Sequence, residues 1–302
     1  MGQPNFFIVG APKCGTTALS EYLREHPQVF VSQPKEPHYF CADFDYYYAP
    51  GECRLEHYLR LFDDAGEQHR AVGEASVWYL YSGAAVPAIR EFDPRARIIA
   101  MVRNPLEMVP SLHSQMHYML DEDVGDLEEA WRLQDERAEE CCVPESCRVP
   151  EFLQYGAAAS LGAQVARLHE SVPSDQLLVI PIDDLRADPG AVYRRALGFL
   201  DVPDDGRTSF PPVNLNKSHR AKALARFTQR PPRQLVRAAE GVKRTIGVER
   251  LGVLDRVRAR NRVVRGRGSV DPAFRDELAA YYRDDVALLG DLLGRDLSGW
   301  LD

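Results

Sequence analysis

The sequence predicts an α/β fold: a P-loop-like parallel sheet flanked by helices. Short apolar runs alternate along the chain with segments whose apolar positions recur at helical spacing. The first of these runs ends in a glycine-bracketed loop that opens directly into a helix, the strand–loop–helix order of nucleotide-binding sheets. The composition agrees, with 45% apolar and 27% charged residues in a chain of 302. Those proportions belong to an ordinary globular protein and exclude disorder, collagen and coiled coil as the main class. The length suits one such domain spanning 1–302.

Each element has its own signal. Phe6-Phe7-Ile8-Val9 is a continuous apolar run closed by Gly10, which reads as a buried strand. Thr16-Thr17 stand where a helix cap is expected, and Leu19, Tyr22 and Leu23 follow at helical spacing until His26-Pro27 ends the helix. Val29-Phe30-Val31 is a second strand. Residues 35–62 are rich in aromatics and read as loop, then a helix over Leu55–Phe62. Ala71–Ala75 is a third strand, and Ala84–Phe92 a helix stopped by the turn Asp93-Pro94. Arg97–Val102 is the clearest strand, closed by Arg103-Asn104-Pro105 and followed by a helix through Ser111 to Tyr118. Residues 121–158 read as an acidic, irregular insertion or lid. A helix over Ser160–Ser171, the strand Leu177–Ile180 and a helix over Pro189–Leu200 continue the alternation. Pro272–Leu293 is an amphipathic helix closed by Gly294.

The net charge of −8 conceals an asymmetry. Residues 217–267 hold sixteen Lys and Arg against three Asp and Glu, so a strongly basic segment, read as helix and loop over 217–268, sits on an acidic body. Such a tract is either a solvated face or an attractor for an anionic ligand. Nucleic acid is not expected as a partner, because no nucleic-acid-binding signature accompanies the charge. No run of eighteen apolar residues predicts a transmembrane segment, and the N-terminus lacks the basic start of a signal peptide. Six cysteines are too few for a disulfide scaffold, and Cys141, Cys142 and Cys147 lack a fourth ligand at zinc-site spacing, so no metal is expected. A cytoplasmic location follows from these signals.

Gly10-Ala11-Pro12-Lys13-Cys14-Gly15-Thr16-Thr17 is the expected centre of the chemistry. At a helix start the first N–H groups have no intrahelical partner, and the helix dipole adds positive charge, so the place suits a phosphate. Gly10 and Gly15 have Walker A spacing, but Thr16 stands where that motif needs its lysine, which here is Lys13. The misplaced lysine argues against an ATP-dependent kinase.

With its flanks, Phe7 to Leu19, this loop resembles the 5′-phosphosulfate loop of sulfotransferases that use 3′-phosphoadenosine 5′-phosphosulfate (PAPS). Arg97–Pro105 with Ser111 is similar to that family's 3′-phosphate strand, loop and helix. Lys35-Glu36-Pro37-His38-Tyr39-Phe40, Gly73-Glu74-Ala75-Ser76 and the closing Leu289-Gly290 through Trp300 match in order. The nearest resemblance is to the bacterial and carbohydrate branch, which includes heparan sulfate sulfotransferase-like domains. Ala75 stands where that branch's polysaccharide enzymes carry a lysine, which counts against a heparan-like acceptor.

The resemblance implies a PAPS-dependent sulfotransferase acting, without a metal, on a hydroxyl of a small-molecule, sugar or lipid acceptor. It implies that Lys13 stabilises charge on the leaving oxygen and that Lys13, Cys14, Gly15, Thr16, Thr17 and Ala18 cradle the 5′-phosphate. Arg103 would offer its fork to the 3′-phosphate, with Ser111 adding a hydroxyl. Lys217, His219 and Arg220 correspond to a late loop over the nucleotide. Glu36 and His38 are rivals for general base: the family favours Glu36, whereas an imidazole titrates near neutrality without help. Trp78 and Tyr79 are either adenine-stacking residues or core. The contrasting expectation is a nucleotide-binding regulatory protein of the same fold without turnover.

Overall fold

The computed structural model describes residues 2–44, 54–213 and 270–302, together with the backbone of 218–219 and 262–263. Five parallel strands form one sheet: β1 (Phe6–Gly10), β2 (Val29–Val31), β3 (Ala71–Glu74), β4 (Arg97–Val102) and β5 (Leu177–Pro181). Their spatial order is β2-β3-β1-β4-β5. β1 lies at the centre, with Phe6 opposite Gly73 on one side and Arg97 on the other. Phe6, Phe7, Ile8 and Val9 are fully buried, as a parallel strand covered on both faces must be. Gly73 is required here, because a Cβ there would meet the Phe6 carbonyl oxygen at 2.2 Å.

Helices cover both faces. α1 (Thr16–Arg24) and α2 (Leu55–Leu59) precede β3; α3 (Ala85–Phe92) and α4 (Pro105–Met119) bracket β4. α5 (Leu127–Arg132), α6 (Gln134–Ala138), α7 (Tyr155–Ala159) and α8 (Leu161–Ser171) lead to β5, followed by α9 (Ile182–Ala187) and α10 (Pro189–Phe199). The C-terminal helix, α11 (Pro272–Leu293), begins at Asp271, whose carboxylate accepts from the Ala273 and Phe274 N–H groups. It ends at Gly294 in the left-handed conformation (φ 59°). Its buried side chains Phe274, Leu278, Tyr282, Val286 and Leu289 pack it against α8 and α4. Asp285 of α11 also accepts hydrogen bonds from the Gly162 and Ala163 N–H groups, each at 2.8 Å, and so caps α8.

Three expectations are corrected. Residues 121–158 are not irregular: they hold three short helices and a 3₁₀ turn (Pro150–Leu153). Arg137 grips Glu122 with two hydrogen bonds of 2.7 and 2.8 Å, both side chains are buried, and the Tyr155 hydroxyl donates to the same carboxylate at 2.7 Å. The threonine cap is also absent. The N-cap of α1 is Gly15 at φ 90°, with no side chain capping the turn, because a β-branched residue does not tolerate that left-handed geometry. In the basic segment, Ser218-His219 pairs antiparallel with Arg262-Val263, where only helix and loop were expected.

Candidate active site

The neighbours β1 and β4 end side by side, and the chain leaves β1 to build one half of the sheet and β4 to build the other. Ligands of open α/β sheets bind at the carboxyl ends of strands where the order reverses in this way. The glycine-bracketed loop lies there. Gly10 is held at φ 140°, and a Cβ on it would fall 2.4 Å from the Val77 carbonyl oxygen. Lys13 adopts φ 66°. Cys14 is buried and donates its thiol to the Pro12 carbonyl; burial pushes that thiol up to about 12, so it is no nucleophile at neutral pH. Gly15 turns the chain into α1 so tightly that a Cβ would press on Leu185 at 3.2 Å. With no side-chain cap, the first N–H groups of α1 remain directed at the loop, and the Thr16 and Thr17 hydroxyls are not consumed as caps.

Arg103 stands at the end of β4, almost entirely buried. Its Nη1 donates to the Lys13 carbonyl at 2.9 Å, which joins the two expected phosphate-binding ends through one guanidinium. Its other edge is not open as expected: Nε and Nη2 both donate to Glu107, at 3.0 and 2.5 Å, one helical turn along α4. Arg186 of α9 donates to the same carboxylate oxygen at 2.7 Å. Partial burial opposes ionisation of Glu107, but the hydrogen bonds from Arg186 and Arg103 outweigh it and hold the carboxyl down to about 2. Asn104 caps α4, its side-chain oxygen accepting from the Leu106 N–H, while its amide donates to the Trp300 carbonyl at 2.6 Å. Ser111 is buried two turns into α4. Arg186 and Glu107 were missed by sequence reasoning. Glu107 could have been found from its i, i+4 spacing to Arg103; Arg186 comes from a separate short helix and carried no signal.

The segment after β2 carries the two rival bases. Lys35 Nζ lies 2.7 Å from Glu36 and donates to the Ala75 carbonyl at 3.3 Å. Glu36 in turn lies 3.4 Å from His38 Nε2. The segment is not extended at His38, which sits at φ 52° with its N–H donating to the Ser76 hydroxyl at 2.9 Å. The Ser76 hydroxyl donates to Glu74 at 2.5 Å, and the Tyr58 and Tyr79 hydroxyls donate to the other Glu74 oxygen. The loop is thus anchored through Ser76 to a fully buried carboxylate. Burial raises Glu74 to about 7 against the lowering effect of those hydroxyls and Lys35. Glu36 goes the other way: burial raises it, but the His38 hydrogen bond and the Lys35 charge prevail and hold it to about 2. Glu36 keeps 36% of its side chain exposed, against 4% for His38, so Glu36 is the one a ligand reaches.

Trp78 stacks on Phe152 at 3.6 Å and Tyr79 is bonded to Glu74, so both are core rather than an adenine platform. Lys217 and Arg220 lie outside the described residues, and of His219 only the backbone is described. Cys141 and Cys142 are exposed and Cys147 half-buried, and among the described residues no group of three or more His, Cys, Asp and Glu could hold a metal. No helix among the described residues is long and apolar enough to cross a membrane.

A family profile described as the sulfotransferase domain matches residues 3–213. The chain is 26% identical to a crystal structure of a sulfotransferase from Alicyclobacillus acidocaldarius, with a TM-score of 0.70 and 100% of both chains covered. A membrane-associated sulfotransferase of Dictyostelium discoideum is 34% identical over 119 residues, 39% of this chain and 23% of that protein. Human carbohydrate sulfotransferase 15 is 33% identical over 147 residues, 36% of this chain and 26% of that protein. The chain therefore spans about a quarter of the length of these curated relatives.

Proposed function

Since this chain belongs to the sulfotransferase-domain family, we propose that it transfers the sulfuryl group of PAPS to an acceptor hydroxyl. The observation that carries the reading is the Arg103–Lys13 hydrogen bond, which sets a buried cation and an uncapped helix start side by side at the ends of adjacent strands. A nucleotide with phosphates at both its 5′ and 3′ positions fits such a pair of anion sites. The donor supplies the sulfur electrophile when bound. The Gly15, Thr16 and Thr17 N–H groups bind the 5′-phosphate, and Lys13, a mobile point charge, offsets negative charge on the departing oxygen. Arg103 and Ser111 hold the 3′-phosphate.

Glu36 takes the proton of the acceptor hydroxyl. Its exposure and its place between Lys35 and His38 support this role. A carboxyl at about 2 is a weak base, so an acceptor or donor that draws Lys35 away strengthens it. That same low value favours a second reading, in which His38 is the base and Glu36 orients it. The relatives named as carbohydrate sulfotransferases support a sugar hydroxyl among small-molecule, sugar and lipid acceptors.

Calorimetry tests the reading: adenosine 3′,5′-bisphosphate should bind without magnesium, and magnesium-ATP should not compete. Binding of magnesium-ATP alone would overturn it. Lys13→Ala should abolish transfer while keeping most nucleotide affinity, which separates an enzyme from a binding protein of the same fold.

A further inference from the structure

A guanidinium has five N–H donors. In Arg103 one on Nε and one on Nη2 go to a single oxygen of Glu107, and one on Nη1 goes to the Lys13 carbonyl. Two are left. The oxygen that holds the Nε edge of Arg103 also accepts from Arg186 Nη2 at 2.7 Å, so one carboxylate occupies two arginines. The exposures are unequal: 7% for Arg103, 41% for Glu107 and 45% for Arg186. Arg186 is also beside the phosphate loop, because its neighbours Ile182 and Leu185 are the atoms a Cβ on Gly15 would touch, at 3.4 and 3.2 Å. Arg186 also donates to Asp183, which is half-buried, at 3.0 Å.

We propose that Glu107 is a built-in rival of the donor's 3′-phosphate for Arg103, and that Arg186, released with it, is a second cation of that subsite. The inference rests on the donor reading above. A phosphate monoester carries about −1.5 to −2 charges and three acceptor oxygens at neutral pH, so it outbids a lone carboxylate for the same edge. A nucleotide without that phosphate cannot displace Glu107. The rivalry sharpens selection for the 3′-phosphorylated nucleotide and limits its affinity, which keeps the spent nucleotide from staying bound. The two arginines keep an anion partner throughout, so neither is ever left buried and unpaired.

The experiment is calorimetric titration of adenosine 3′,5′-bisphosphate and of adenosine 5′-phosphate into the wild type, Glu107→Gln and Arg186→Met. Glu107→Gln should tighten the bisphosphate about three- to tenfold, the scale of a partly exposed charge pair, and leave the monophosphate unchanged. Arg186→Met should weaken the bisphosphate by a similar factor, again sparing the monophosphate. Weaker bisphosphate binding by Glu107→Gln would mean that Glu107 orients Arg103 for the ligand, and equal shifts in both nucleotides would mean a general field effect; either overturns the rivalry. An unchanged bisphosphate affinity in Arg186→Met removes Arg186 from the subsite. A wild type that does not distinguish the two nucleotides defeats the donor reading itself, whereas a wild type that does, with no gain in Glu107→Gln, defeats only the rivalry. Thermal unfolding of both variants, which alter partly exposed side chains, checks that each is folded.

Discussion

Two carboxylates near the ends of neighbouring strands, Glu36 after β2 and Glu74 closing β3, are pushed in opposite directions by what surrounds them. Glu36 faces a lysine and an imidazole and stays ionised; Glu74 is sealed among hydroxyls and sits at about 7. If Glu36 takes the acceptor's proton, Glu36→Gln should lower turnover about 10²–10⁴-fold while nucleotide affinity barely moves. His38→Ala should cost far less, and the rising limb of the pH–rate profile should vanish only in the Glu36 variant. The reverse pattern assigns the base to His38. Glu74 makes a separate prediction about stability. Its folded pKa lies above the usual carboxylate value of 4.5, so between pH 4.5 and 7 the native state holds more protons than the unfolded chain. Its contribution to stability is then fully present below pH 4.5 and is lost as pH rises to 7, by about 3 kcal/mol at most. Glu74→Gln should flatten that fall in denaturant titrations across the window. An identical slope in the variant would show that the cage compensates for burial.

Among the elements, the segment 121–158 is held by the Arg137–Glu122 pair, both side chains fully buried. Removing one partner leaves an unpaired buried charge, so Glu122→Ala should lower unfolding stability by about 3–5 kcal/mol. Replacing both, with Glu122→Leu and Arg137→Met, should recover most of it. Equal losses in the single and double variants would mean that the pair itself, rather than the orphaned charge, matters. The strands and long helices of this fold were legible in the sequence because their signals are continuous: Arg97–Val102 has five apolar residues in a row after its arginine, and α11 is bracketed by Asp271 and Gly294. Helices α5, α6, α7 and α9 span five or six residues each, too short for a helical period to show against an acidic background. The candidate site divides the same way. The glycine-bracketed loop, Arg103 and the Glu36–His38 pair are local patterns and could be read. That Arg186 shares Glu107 with Arg103, and that His38 hangs from Ser76 and Glu74, depends on elements brought together only by the sheet.

At the scale of the whole molecule the charge is divided: the basic tract at 217–267 sits in a chain of net −8. A multiply anionic donor should be drawn toward that tract from a distance, and salt should screen the attraction over about 10 Å at 0.1 M. The apparent KM for PAPS should therefore rise between low and physiological ionic strength while kcat holds. A KM that ignores salt would reduce the tract to a solvated face. The packing of α11 has a consequence of another kind. The matched family region stops at residue 213, but α8 owes its cap to Asp285, and five buried side chains of α11 lie against α8 and α4. A gene fragment trimmed to the recognised boundary would thus be cut through its own interior. It should emerge insoluble or aggregated, and adding residues 270–302 back as a separate polypeptide should rescue it: the molecule's smallest transplantable unit is longer than the region by which it is recognised.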